Sequence, residues 1–214
     1  MKRLLYILSI TCLASIYVIN IFPENNSINT YEYLSPKVDT AKIVGRTVLS
    51  FLKWYKNNYE NIYKIETVNN MPASSNYDST KFYSVNFEGT ENYLKYMKSS
   101  GYISDKYLAW WRAYFKKCDD DFKNNPVNDG PPEGFDLDFV LITQEIDYAF
   151  EKIKTAVFTK VVIKNNEAEV RLTIDKDWAY KYILTYDGKN WLIDSIDYYN
   201  PILKNSLNNA GRLK

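Results

Sequence analysis

Apolar residues recur at steps of three and four through the first part of the chain, and from Thr155 onward at steps of two. Val44, Val48, Phe51, Leu52, Tyr55, Tyr59 and Ile62 fall on one face of a long helix, with Asp39 as its N-cap. "VNNMPASSNYDST" reads as a loop from its Asn, Pro and Ser content, and "KFYSVNF" as a short strand or extended chain. A second helix fits "TENYLKYMKSSG", opened by Thr90 and closed by Gly101. A third follows Ser104, carries Tyr107, Leu108, Trp111, Phe115, Cys118 and Phe122 on one stripe, and stops at Asn125-Pro126.

"NNPVNDGPPEG" is turn chemistry and must run over the surface. After it, "TAVFTKVVIK", "EAEVRLTID", "WAYKYILTY" and "KNWLIDSIDYY" alternate or are rich in β-branched and aromatic residues. Asn165-Asn166, Asp175 to Asp177 and Asp187-Gly188 separate them, and connections this short demand antiparallel neighbours. The expected fold is α+β: three N-terminal helices packed on a bent four-stranded antiparallel sheet, one domain over 39–200 with a tail over 201–214.

The amino terminus breaks this pattern. Lys2 and Arg3 precede an uncharged run from Leu4 to Phe22, which marks residues 1–22 as a signal peptide or membrane anchor and 23–38 as a tether. At about 1.5 Å per residue the run reaches roughly 28 Å, enough to span a bilayer's hydrocarbon core. Cys12 adds lipidation as a third outcome, although Ser9, Ile10 and Thr11 are a poor lipobox. Under each outcome the body is exported, in the periplasm or held at the membrane facing it.

Charge excludes some partners. Lys and Arg number 27 against 26 Asp and Glu, and without Lys2 and Arg3 the balance is 25 against 26, unlike the basic surfaces that nucleic acid selects. No histidine is present, so Ser-His-Asp and Cys-His nucleophile systems and His-containing metal sites are excluded. No Gly-rich phosphate cradle precedes a helix, and no cofactor is expected. Cys118 sits on the third helix's apolar stripe, where a thiol acts as a small hydrophobe.

What chemistry remains belongs to carboxylates and aromatics. In "GFDLDFVLITQEID", Asp136 and Asp138 share a face if the chain is extended, which suits an acid–base pair or a hard cation. Alternatively one of them caps a turn, while Gln144, Glu145 and Asp147 begin a polar helical face. Tyr is in excess at 20 residues, and alternation puts Trp178, Tyr180, Tyr182, Leu184 and Tyr186 on one sheet face, as core or as cavity lining. Asp136, Asp138, Trp178, Tyr180, Tyr182 and Trp191 are therefore the candidate ligand-binding residues.

Together "FLKWYKNNY", "LKYMKSSGYISDKYLAWW", "GFDLDFVLITQEID" and "YDGKNWLIDSIDY" resemble the bacterial domain-of-unknown-function family numbered 3828, over about Thr40 to Tyr198. The family's Asp-Pro step appears here as Asp138-Phe139. The resemblance implies an exported protein with a fold similar to nuclear transport factor 2, a bent sheet closed into a cone by helices. Such cones host binding modules and enzymes alike, so two expectations stand. One is a non-enzymatic envelope module for a protein partner or small ligand, and the other a lyase, isomerase or hydrolase using carboxylates in the cone.

Overall fold

A computed structural model describes residues 37–72, 77–176 and 178–200. The expected leader with Cys12, nearly all of the tether and the C-terminal tail lie outside these residues. Among the described residues no helix is long and apolar enough to cross a membrane.

Helix α1 spans Lys37–Tyr63 and buries Val44, Val48, Phe51, Leu52, Tyr55 and Ile62, the face its spacing predicts. Asp39, expected as the cap, falls instead within its first turn, a boundary shift of ordinary size. Two short strands, β1 (Val68–Asn69) and β2 (Ser84–Val85), pair antiparallel and clip the intervening loop.

Helix α2 spans Phe87–Ser99 and starts earlier than Thr90, because Asn86 Oδ1 accepts the Gly89 N–H at 2.9 Å. Thr90 is buried inside the helix and donates its hydroxyl to the Phe87 carbonyl at 3.1 Å. Gly101 follows the helix with a φ of 76°, the left-handed conformation a C-terminal glycine supplies. Helix α3 (Asp105–Asn124) is capped as expected, Ser104 Oγ accepting the Tyr107 N–H at 3.2 Å, and its predicted stripe is buried throughout.

A fourth helix, α4 (Ile146–Ile153), corrects the count of three. Its buried residues are Ala149 and Phe150; of the residues expected to begin a polar helical face, Asp147 lies in its first turn, whereas Glu145 is its N-cap and Gln144 precedes it.

Strands β3 (Val157–Lys164), β4 (Glu167–Asp175), β5 (Trp178–Tyr186) and β6 (Trp191–Tyr199) form the antiparallel meander in order β3-β4-β5-β6. Register sets Leu172 opposite Tyr180, Val170 opposite Tyr182 and Ala168 opposite Leu184, so the buried residues of β4 and β5 share one face. Pairing shifts between Phe158 and Lys160, Thr173 and Asp175, and Ile183 and Leu184 insert bulges that bend and twist the strands. Asp187 Oδ1 holds the last hairpin by accepting the Lys189 and Asn190 N–H groups at 2.8 and 2.6 Å. The α2–α3 connection docks on the β6 edge, Ile193 donating to the Tyr102 carbonyl at 2.7 Å and accepting from Ser104 N at 3.0 Å.

Candidate functional site

The segment 138–143 is a closed turn and residues 135–137 before it are bent rather than extended, which answers how the carboxylates are used. Asp138 Oδ1 accepts the Val140 and Leu141 N–H groups at 2.9 and 2.6 Å, while the Asp138 carbonyl accepts the Ile142 N–H at 2.8 Å. Asp136 and Asp138 therefore do not share an extended face. Val140 and Leu141 anchor the turn in the core with no exposed surface. Ile142 adopts a φ of 49°, costly for a β-branched residue and held by these bonds on either side.

Three elements fix this turn against its neighbours. From α1, the Tyr55 hydroxyl donates to Asp138 Oδ2 at 2.6 Å. From β5, the Tyr180 hydroxyl donates to the Leu141 carbonyl. From α3, the Tyr114 hydroxyl donates to the Gly134 carbonyl at 3.1 Å, and Gly134, at a φ of 83°, leaves no room for a side chain there: a Cβ would lie 2.7 Å from Tyr114 Oη.

Above the turn opens a cleft of about 610 Å³, lined by the end of α1 and the chain after it, by Tyr93 of α2, and by Phe135 to Phe139. Its size is that of a small-molecule site. The far wall is pinned by the start of α2: Asn86 N donates to the Thr67 carbonyl at 2.9 Å, and Gly89 packs so closely that a Cβ would lie 1.8 Å from the Glu66 carbonyl oxygen. Aromatic rings build the rest, with Tyr55 and Tyr59 centroids 6.0 Å apart and Tyr93 and Phe139 5.3 Å apart, each pair edge to face.

Electrostatically the floor is unusual. Loss of solvent pushes the Asp138 carboxyl above its ordinary value, outweighing the three hydrogen bonds that favour its charged form. Burial, then the Asp138 charge, raises the Tyr55 hydroxyl well above its usual value and brings Tyr59 to about 12. The Tyr55 and Tyr59 hydroxyls are thus neutral at physiological pH. Tyr93 and Tyr107, each 2% exposed, lie near enough to perturb one another's ionisation, yet neither hydroxyl makes a hydrogen bond of ordinary geometry. Glu66, Asp136 and Asp138 line the cleft against Lys64 alone among the described residues.

The structure separates the residues singled out in the sequence. Asp138 lies on the cleft floor, and Asp136, exposed, borders the same cleft. Tyr180 and Tyr182 are core residues with no exposed surface, Tyr180 acting on the site only through the Leu141 carbonyl. Trp178 is half-buried and stacks on Tyr148 at 6.1 Å, and Trp191, 7% exposed, packs on Tyr186 at 5.4 Å. None of these four lines the cleft. Tyr55, Tyr59 and Tyr93 do, and the sequence did not mark them because helical spacing reads as core.

A second groove of about 430 Å³ lies between α2 and α3. Most of its charges are paired, Arg112 holding Glu91 through bonds of 2.6 and 2.9 Å and Lys123 holding Asp119 at 2.5 Å. Among the described residues no group of three His, Cys, Asp or Glu side chains is placed to hold a metal ion. No family model, curated protein or solved structure matches the chain.

Proposed function

We propose that this chain is a non-enzymatic bacterial envelope module that binds a small ligand in the cleft above Asp138. The observation that carries it is a preformed cleft of about 610 Å³, lined by Tyr59, Phe135 and Phe139 among other residues, whose floor carries the desolvated Asp138 carboxyl. The apolar run behind Lys2 and Arg3 supports export and membrane association. Four helices beside a bulged antiparallel meander are compatible with the proposed cone like that of nuclear transport factor 2. An aromatic cleft of this kind favours a small ligand over the protein partner that the sequence left equally open.

One observation favours a second reading, catalysis by carboxylate. Asp138, with its raised pKa and its bond to Tyr55, has the properties of a general acid. A single screen separates the two. Full-length protein is exposed to a library of small metabolites, bound compounds are detected by saturation-transfer NMR, and each is followed for hours for conversion. The binding account predicts bound, unconverted compounds whose signals are lost in Tyr59→Leu. Conversion abolished by Asp138→Asn would establish the enzyme instead, and no bound compound, or binding indifferent to Tyr59→Leu, would overturn the cleft as the ligand site.

A further inference from the structure

Most buried or half-buried carboxylates in this protein have a cation beside them: Glu91 has Arg112, Asp119 has Lys123, Glu169 has Arg171, and Asp194 has Lys106. Asp138 departs from the rule. Its hydrogen-bond donors are the Tyr55 hydroxyl and two backbone N–H groups, all neutral, and among the described residues no lysine or arginine pairs with it. A desolvated carboxylate without a counter-charge is costly, and the cost is recovered if a ligand brings the charge. Glu66 and Asp136 on the cleft lining add to the negative potential against Lys64.

The walls suit the same occupant. Tyr59 and Phe139, both half-buried, border the cleft, and ring faces attract cations, more strongly where water is excluded. A neutral alcohol would leave the carboxylate uncompensated, and an anion would be repelled.

We infer that the cleft recognises an organic cation, a substituted amine or quaternary ammonium group seated over Asp138 beside Tyr59 and Phe139. The inference rests on the cleft being the ligand site and adds the chemical class of the ligand.

Choline, its uncharged isostere neohexyl alcohol, and acetate serve as probes, titrated into full-length protein while the ring NMR signals of Tyr59, Tyr93 and Phe139 are followed. Choline is expected to bind at least roughly tenfold more tightly than neohexyl alcohol, and acetate not at all. Asp138→Asn retains an oxygen for the Val140 and Leu141 N–H groups while removing the charge, and should erase the preference for choline. If that variant fails to fold, Tyr59→Leu carries the test, weakening choline more than the alcohol. Equal binding of choline and the alcohol, tighter binding of acetate, or a preference unchanged in the folded variants overturns the inference. Neutral cleft ligands from the metabolite screen alongside silent choline defeat the cation alone, whereas an empty screen defeats the cleft itself.

Discussion

Asp138 shows how one side chain serves both folding and recognition. Its Oδ1 ties two backbone N–H groups of a turn that contains a left-handed Ile142, so Asp138→Ala should cost about 0.5–2 kcal/mol, the usual loss for an Asp cap, measured by chemical denaturation. Asp138→Asn keeps the cap and tests the charge. Because the folded carboxyl titrates above its unfolded value, Asp138 contributes stability below the ordinary carboxylate range and loses it as pH rises through the folded pKa. The stability of Asp138→Asn relative to the parent should therefore rise over that window, and a flat difference would deny the shift. A capping aspartate between Gly134 and "FVLI" was legible in the sequence as local chemistry. Tyr55, Tyr59 and Tyr93 were not, since a ring at the end of an apolar stripe and a ring in a cleft have the same spacing.

At the scale of elements, the cleft depends on close approaches that glycine permits. Gly89→Ala would drive a Cβ into the Glu66 carbonyl, with backbone on both sides, so the chain after α1 must move. The expected result is a lowered melting temperature together with loss of cleft ligands, whereas alanine at Gly101, which has open space around it, should leave those ligands bound. Sequence spacing placed α1, α3 and all four strands, because their apolar periods are long and unbroken. It put the start of α2 at Thr90 because Gly89 is a poor helix former, and the real cap, Asn86, precedes an exposed Phe87 that disguises the boundary. Eight-residue α4 is too short for its period to stand apart from the loop before it.

The whole molecule is organised around buried hydroxyls. Tyr55, Tyr93, Tyr107, Tyr180 and Tyr182 all have raised pKa values, burial being the first cause in each. Folded-state values above the unfolded value, near 10, mean that stability is full below that pH and is lost as pH rises further. Alkaline titration followed by tyrosinate absorbance should show a late group, these five hydroxyls, that ionises only as the fold collapses. A single smooth titration with the fold intact would contradict the buried network. Cys118, buried beside Gly134 with its thiol pushed up by burial, should stay unlabelled by maleimide until the same collapse.

That inertness permits the most direct test of the cleft. Leu137 is 40% exposed and lines it, so in a Cys12→Ser background a cysteine placed there by Leu137→Cys can be capped with a bulky maleimide while Cys118 stays untouched. The account predicts that the capped protein melts like its uncapped counterpart and loses at least nine-tenths of its binding of choline or of any compound found in the screen. Binding that survives the cap undiminished would place the ligand elsewhere and contradict the account.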